Sequence, residues 1–300
     1  MSRILLLGRN GQVGWELQRS LAPLGELVAL DRHSTDKDGG CGDLGNLEGL
    51  RRTVLQLRPT VIVNAAAHTA VDQAEREPDA AQTLNALAPG VLAQAAHEVG
   101  SLLVHYSTDY VFDGGGTAPR REDAPTGPLS TYGRTKLDGE HAITAAGRRH
   151  LIFRTSWVYA ARGGNFAKTM LRLAQERDRL TVIDDQFGAP TGAELIADAT
   201  AHAIRQALRD EACCGTYHLA AAGETSWNGY ARFVLDTART LKPDLVIQAQ
   251  EVAPVPTSAF PTPARRPLNS RLDTTRFRDT FGLHLPEWQR GVRRMLAEIL

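Results

Sequence analysis

Ile4-Leu5-Leu6-Leu7-Gly8-Arg9-Asn10-Gly11-Gln12-Val13-Gly14 is the stretch from which the fold class follows. The four apolar residues at its start predict a strand that is buried on both faces, as in a parallel sheet. The glycines follow a G-x-x-G-x-x-G spacing, and a helical pattern comes next at residues 15–24. Glycines let the backbone turn sharply and approach a pyrophosphate, and a helix N-terminus offers free N–H groups. The stretch therefore predicts a dinucleotide-binding strand–loop–helix unit, with a tight structural turn as the alternative.

The same alternation of strand and helix continues through the first half of the chain. Further strands are predicted at Leu27–Leu30, Val61–Val63, Leu102–Tyr106 and Leu151–Thr155, and helical patterns separate most of them. Such alternation is typical of a parallel sheet with crossover helices. The fold class is therefore α/β, with a Rossmann-type doubly wound parallel sheet in residues 1–158. Residues 159–300 are expected to form mainly a smaller α/β substrate domain that is partly interleaved, because roughly 180–210 return to the first domain.

Composition excludes several function classes. The chain has 300 residues, a formal net charge of zero and three cysteines. A chain with zero net charge has no excess of basic residues that would favour binding to nucleic acid or to an anionic membrane. No apolar run approaches ~18 residues, so no membrane span is expected. The apolar run at the start of the chain is too short for a signal peptide. A cytoplasmic protein is therefore expected.

Tyr132 and Lys136 are the candidate catalytic pair. They lie four residues apart, so a helix would place both side chains on one face. An ammonium beside a phenol is expected to lower the pKa of the phenol, which suits acid–base catalysis near neutral pH. The chain uses only four lysines against thirty arginines, so a lysine at this position is informative. A chance pair on a solvated helix is the alternative.

Polar residues at strand ends complete the candidate site. Thr108 follows a predicted strand and is placed to bind a substrate carbonyl together with Tyr132, although a simple Ser/Thr turn is equally consistent. Asp31 ends the second strand and could bind a ribose hydroxyl, which favours NAD. Arg32 follows and could pair with the extra phosphate of NADP, so the choice of cofactor stays open. Asp43 could meet the adenine edge or form a plain turn.

Several motifs together resemble the extended short-chain dehydrogenase/reductase superfamily and, within it, the dTDP-4-dehydrorhamnose reductase family. The motifs span nearly the whole chain. They are Gly11-Gln12-Val13-Gly14, Val63-Asn64-Ala65-Ala66-Ala67-His68-Thr69-Ala70-Val71-Asp72, Ser107-Thr108-Asp109-Tyr110-Val111-Phe112, Tyr132-Gly133-Arg134-Thr135-Lys136-Leu137, Arg154-Thr155-Ser156-Trp157-Val158-Tyr159, Asp185-Gln186-Phe187-Gly188-Ala189-Pro190-Thr191 and Arg266-Pro267-Leu268-Asn269-Ser270.

The resemblance implies reduction of the C4 keto group of dTDP-4-dehydro-L-rhamnose to dTDP-L-rhamnose, with hydride from NADPH or NADH and the proton from Tyr132. Lys136 would lower the pKa of the phenol and hold the nicotinamide ribose, and Thr108 would tune the phenol. The expected cofactor site comprises Gly8, Gly11, Gln12, Val13, Gly14, Asp31, Arg32, Asp43, Leu44, Ala65, Ala66, Ala67, His68, Thr69, Tyr106, Tyr132 and Lys136. The expected substrate site comprises Thr108, Asp109, Trp157, Arg266 and Asn269.

The resemblance also implies partners. A dTDP-sugar is the expected small-molecule substrate, and a homodimer is the expected assembly. Some members bind Mg²⁺ through acidic side chains at a dimer interface. Glu16, Glu194 and Glu298 are the possible counterparts here.

Two other readings are open at the level of sequence. A nucleotide-sugar epimerase or dehydratase of the same superfamily would recycle bound NAD, but dehydratases carry a glutamate where this chain has Tyr110. A non-catalytic dinucleotide-binding subunit, like the regulatory subunit of methionine adenosyltransferase, could keep both Tyr132 and Lys136. Trp157 favours the enzyme.

Overall fold

A computed structural model of the chain describes residues 2–35, 37 and 39–300. The strands are β1 (Arg3–Leu7), β2 (Glu26–Leu30), β3 (Val61–Asn64), β4 (Leu102–Thr108), β5 (His150–Thr155), β6 (Val158–Tyr159), β7 (Arg179–Ile183), β8 (Phe187–Gly188), β9 (Thr191–Gly192), β10 (Gly215–His218), β11 (Thr225–Ser226) and β12 (Glu251–Val255). The α-helices are α1 (Gln12–Leu21), α2 (Leu47–Leu57), α3 (Val71–Ala74), α4 (Pro78–Gln82), α5 (Ala88–Val99), α6 (Thr131–Ala146), α7 (Phe166–Glu176), α8 (Ala193–Ala207), α9 (Trp227–Leu241), α10 (Thr275–Phe281) and α11 (Trp288–Ile299). A π-helical segment, Thr83–Leu87, leads into α5.

Six strands form one parallel sheet in the order β10-β5-β4-β3-β1-β2. The chain moves outward from β1 to β2 and then returns past β1 to β3, so the strand order reverses between β1 and β3. In open α/β sheets, ligands bind in the crevice beyond the carboxyl ends of the strands at such a reversal. The predicted α/β fold class with a doubly wound parallel sheet is confirmed.

Helices cover both faces of this sheet, because alternate residues of each strand point to opposite sides. Ile4 and Leu6 belong to one buried apolar cluster with Leu17 of α1 and Ile204 of α8. The alternate residues Leu5 and Leu7 instead pack in a second cluster with residues of α2 and α5. An unbroken apolar strand such as Ile4–Leu7 is therefore buried on both faces, as its sequence predicts.

A third apolar cluster gathers α7, α9 and α11 with β7 and β12. β12 pairs in parallel with β7 and contains Pro254. In the described part of the chain β12 has one strand neighbour, and an edge position tolerates a residue that lacks a backbone N–H. Helix α8 and strand β10 pack with the first cluster instead. A domain division at residue 158 stays a prediction.

Length and polarity of the helices bear on membranes. Within residues 2–35, 37 and 39–300, the structure contains no helix that is both long enough and apolar enough to cross a bilayer.

Candidate active site

A cavity of about 930 Å³ opens beyond the carboxyl ends of the sheet strands. This volume lies near the upper end of the range for ligand sites, roughly 300–1,000 Å³. Most residues that the sequence assigns to cofactor and substrate line it. They are Gly8, Gly11, Gln12, Val13, Asp31, Arg32, Asp43, Leu44, Ala65, Ala66, Ala67, Thr69, Tyr106, Thr108, Asp109, Tyr132, Lys136 and Trp157. The structure therefore brings the glycine loop and the Tyr–Lys pair to one site.

The glycine loop is packed so closely that side chains are excluded. Gly8 has a φ of +87°, and a Cβ there would lie 2.8 Å from the nitrogen of Ala66. A Cβ on Gly14 would lie 2.0 Å from the oxygen of Gly8, so Gly14 supports the loop from behind and does not line the cavity. Gly11 caps α1 without a side-chain hydrogen bond. The first N–H groups of α1 are thus open to an anion, as a pyrophosphate cradle requires.

Asp31 is held by three donors at the end of β2. Its carboxylate accepts hydrogen bonds from Arg9 Nε at 2.9 Å, Asn10 Nδ2 at 2.7 Å and the backbone N–H of His33 at 2.8 Å. The His33 and Arg9 contacts lower the pKa of Asp31. The neighbouring Arg32 contacts His33 through a 3.0 Å Nε–Nε2 hydrogen bond. The negative charge of Asp31 is therefore balanced locally by Arg9.

His68 lies behind the cavity wall. Its backbone N–H donates to Asn85 Oδ1 at 2.9 Å, and its carbonyl accepts from Asn85 Nδ2 at 3.1 Å. The side chain of His68 does not line the cavity, in contrast to the sequence-based assignment. Asn85 therefore fixes the peptide between Ala67 and Thr69, both of which do line it.

Tyr132 lies on the first turn of α6, which begins after a Ser130 cap. Its ring makes an edge-on contact with Tyr110 at a centroid distance of 5.5 Å. Burial raises the pKa of Tyr132 to about 12, the Thr108 hydroxyl acts in the opposite direction, and the charge of Asp109 adds to the increase. Lys136 is not among the causes of this shift, and the lowering that the sequence predicts for it stays a prediction. Tyr132 carries its proton at neutral pH.

Lys136 is buried one helical turn after Tyr132, with an exposed fraction of 2%. Its Nζ donates to the carbonyl of Tyr106 at 2.6 Å and lies 3.1 Å from His105 Nε2. Burial lowers the pKa of Lys136 to about 8, although the nearby Glu140 opposes this. Desolvation disfavours the charged ammonium and therefore lowers the pKa of Lys136. It also weakens the effect that Lys136 could have on the pKa of the Tyr132 phenol.

Asp109 brings a buried carboxyl group beside Thr108. Asp109 Oδ1 accepts a hydrogen bond from the Thr108 hydroxyl at 3.1 Å, and Oδ2 has no partner among the described residues. Burial raises the pKa of Asp109 to about 6. Oδ2 is itself buried, and the hydroxyls of Ser270 and Thr108 oppose the increase in the pKa of Asp109.

Two tryptophans form the opposite wall. Trp157 follows β5 and has a left-handed backbone with a φ of +49°, which is strained for a bulky residue. Its ring stacks on Trp227, the first residue of α9, at 3.7 Å and 14°. Trp227 Nε1 donates to Gln186 Oε1 at 3.0 Å. Sequence reasoning missed Trp227, because seventy residues separate it from Trp157 and only the fold brings them together.

Arg266 and Asn269 do not line the cavity, unlike the other expected substrate residues. Arg266 forms two hydrogen bonds with the carboxylate of Asp72, at 2.7 and 3.2 Å. Asn269 is buried and donates to the carbonyls of Gly115 and Ala118. Both side chains are thus engaged within the chain, and Asn269 holds a loop in place.

The three glutamates proposed for Mg²⁺ lie close enough that Glu16 and Glu298 both raise the pKa of Glu194. Burial is the larger cause of that increase. Glu16 also pairs with Arg19 at 3.5 Å, and Glu194 with Arg294 at 3.4 Å. In the part of the chain that the structure describes, no group of three acidic, His or Cys side chains could hold a metal ion.

Comparison with known proteins gives consistent results over the full length. The family model described as RmlD substrate binding domain matches residues 1–300. A dTDP-4-dehydrorhamnose reductase of Shigella flexneri is 60% identical over 296 residues, covering 99% of this chain and 97% of the relative. Among solved structures, a dTDP-4-dehydrorhamnose reductase of Clostridium acetobutylicum has a TM-score of 0.87 at 34% identity, with 99% of both chains covered.

A further solved structure carries a cofactor. The dTDP-4-dehydrorhamnose reductase of Bacillus anthracis, in complex with NADP, has a TM-score of 0.86 at 32% identity and also covers 99% of both chains. Fold, site and relatives agree that the chain belongs to the dTDP-4-dehydrorhamnose reductase family, in the extended short-chain dehydrogenase/reductase superfamily, and is an oxidoreductase.

Proposed function

We propose that the chain reduces the C4 keto group of dTDP-4-dehydro-L-rhamnose to dTDP-L-rhamnose, using NADPH or NADH. The observation that carries the proposal is the convergence of the glycine loop, Thr108, Tyr132 and Lys136 on one cavity. Gly8 supports the cofactor assignment. A Cβ there would clash with the backbone of Ala66, so only a glycine lets the loop pack closely enough to form a pyrophosphate cradle. The NADP complex of the Bacillus anthracis relative supports it further.

When bound, NADPH or NADH would supply the hydride that reduces the C4 carbon of the sugar. Tyr132 Oη donates its proton to the C4 oxygen as that oxygen becomes an alkoxide. A pKa of about 12 keeps the phenol protonated until then, and an alkoxide is a stronger base than a phenolate. Thr108 lies beside the phenol and can hold the same oxygen. Lys136, which lines the cavity, would hold the nicotinamide ribose.

The other site residues are proposed to position the sugar nucleotide. Asp109, which lines the cavity, would accept a hydrogen bond from a sugar hydroxyl. The face of the Trp157–Trp227 stack would cover an apolar face of the sugar. The residue next to Asp109 is Tyr110, where a dehydratase carries a glutamate. Burial raises the pKa of the Tyr110 phenol, so it cannot remove a proton from the sugar as a carboxylate would. This supports reduction over dehydration.

The test is turnover with defined substrates. Purified protein, dTDP-4-dehydro-L-rhamnose and NADPH or NADH are expected to show consumption of the reduced cofactor, with dTDP-L-rhamnose identified by NMR as the product. Intact cofactor binding without turnover would contradict the proposed reaction. Release of an epimerised keto-sugar without net oxidation of the cofactor would favour the epimerase.

Cofactor preference is expected to depend on Asp31. In Asp31→Ala, we expect the ratio of kcat/KM for NADPH to kcat/KM for NADH to rise by about tenfold or more. The variant loses an acceptor for the ribose hydroxyl, and a hydrogen bond to a charged group contributes about 1.5–3 kcal/mol. It also frees Arg9 to meet an added phosphate. Steady-state kinetics with both cofactors measures this ratio. Arg32→Ala is the matched variant and should lower it, whereas an unchanged ratio in both would exclude this pair from cofactor selection.

Assembly and domain organisation are further proposals. We expect a homodimer, and Mg²⁺ would bind only where a second subunit adds ligands to Glu16, Glu194 and Glu298, since one chain pairs two of them with arginines. We also expect residues 159–300 to supply most substrate contacts. The position of Trp227 at the cavity supports this.

A further inference from the structure

The first turn of α6, which carries Tyr132, is held by a carboxylate from outside the helix. The backbone N–H of Thr131, the first residue of α6, donates to Glu75 Oε1 at 2.7 Å. The Thr131 hydroxyl donates to Glu75 Oε2 at 2.8 Å, so both oxygens of the carboxylate are used. Thr131 is buried. One side chain thus fixes the residue that directly precedes Tyr132.

A carboxylate suits this end of the helix. The first N–H groups of a helix have no partner within it, and the helix dipole favours a negative charge there. The Ser130 hydroxyl accepts from the Gly133 N–H at 3.2 Å, and Glu75 accepts from the Thr131 N–H. Arg134 supplies the positive charge of this turn, and its Nη2 donates to the Thr131 hydroxyl at 3.2 Å. That hydroxyl accepts from Arg134 and donates to Glu75, so no two donors face each other.

Glu75 also connects the helix to the wall of the cavity. It directly follows α3, and the nearby residues Thr69 and Val71 line the cavity. The same turn is packed against Tyr110, because a Cβ on Gly133 would lie 2.2 Å from the carbonyl oxygen of Tyr110. The helix therefore cannot move closer to Tyr110, and the hydrogen bonds to Glu75 oppose its movement away from α3.

We propose that Glu75 is a positioning residue for the reaction: through Thr131 it fixes the first turn of α6 and so holds the Tyr132 hydroxyl where the C4 oxygen binds. The inference rests on the proposed function in taking Tyr132 as the proton donor. The ends of a helix open more easily than its middle. A proton donor in the first turn therefore needs a contact from outside the helix, and Glu75 supplies it from a segment 56 residues away.

The first experiment is a kinetic comparison at a temperature where all variants are folded. Glu75→Ala is expected to lower kcat by about 10–100-fold, because a displacement of about 1 Å at a reacting group costs up to about 10²-fold. KM for the sugar nucleotide and Kd for NADPH should change little, because Glu75 does not line the cavity. Glu75→Gln keeps an acceptor for the Thr131 N–H and should restore most of kcat. Glu77→Ala is the matched control, since Glu77 is exposed and accepts from Gln73.

The outcomes separate this proposal from the proposed function. A folded Glu75→Ala protein with the parent kcat would overturn the positioning role. An equal loss of kcat in Glu75→Gln would do the same, because the charge and not the hydrogen bond to Thr131 would then matter. Parent activity in Tyr132→Phe would instead remove the proton donor itself. A loss in Tyr132→Phe beside an unchanged Glu75→Ala overturns only the role of Glu75.

The second experiment reads the contact without using activity. Amide hydrogen exchange is measured in the protein saturated with NADPH. In Glu75→Ala the amides of the first turn of α6 should exchange at least about tenfold faster, since a hydrogen bond to a charged group is lost. The amides of α5 and of the sheet should keep their parent rates. Equal acceleration there would show a general loss of stability and overturn the proposal, whether or not the protein reduces a sugar.

Discussion

Tyr132→Phe is expected to lower kcat by roughly 10²–10⁴-fold, the range that a general acid contributes. Only the hydroxyl is lost, and the Phe ring keeps the edge-on contact with Tyr110. The binding of NADPH should stay within a few-fold of the parent protein, because the glycine loop and Asp31 are untouched. Single-turnover kinetics and a fluorescence titration of NADPH separate the two effects.

Tyr230→Phe is a matched control for the loss of one phenolic hydroxyl. Tyr230 lies in the third apolar cluster, and its hydroxyl has no hydrogen-bond partner among the described residues. Its activity should match the parent protein. If Tyr132→Phe kept more than a tenth of the parent kcat, the phenol would not be the proton donor.

Glu140→Gln is expected to cost about 3–5 kcal/mol of unfolding free energy, because it leaves a buried guanidinium without its counter-ion. The side chains of Arg154 and Glu140 are only 7% and 5% exposed. Three hydrogen bonds from Arg154 and one from the Ser107 hydroxyl converge on this carboxylate. Chemical denaturation followed by circular dichroism measures the loss.

The control for this change is an exposed pair of the same chemistry. Arg172 and Glu176 form an i,i+4 pair on α7 with side chains 61% and 51% exposed. Glu176→Gln should change the unfolding free energy by less than about 0.5 kcal/mol, since such pairs contribute little. A double replacement of Arg154 by Met and Glu140 by Leu should recover much of the loss. A loss below 1 kcal/mol in Glu140→Gln would mean that water reaches Arg154.

The parts of the site that follow from local patterns could be predicted from the sequence. The apolar run Ile4–Leu7 with its glycines sets one strand, one turn and one helix, and the four-residue spacing places Tyr132 and Lys136 on one face of α6. The alternation of strands and helices was sufficient to predict a parallel sheet, because two parallel strands must be joined by a crossover connection.

Features that depend on distant contacts could not be predicted. The pKa of Tyr132 depends on burial and on Asp109, and neither quantity can be read from a spacing of four residues. The stack of Trp227 on Trp157 and the pairing of β12 with β7 join segments about seventy residues apart. Arg266 was expected in the substrate site, but it pairs with Asp72, which precedes it by 194 residues.

The π-helical segment Thr83–Leu87 makes the exact length of this part of the chain important. A π-turn holds one residue more than an α-turn. Removing one residue there would restore the regular helix and rotate everything before it by about 100°. Asn85 would then no longer reach the His68 peptide. The length of the segment is therefore as important for the wall of the cavity as the side chain of Asn85.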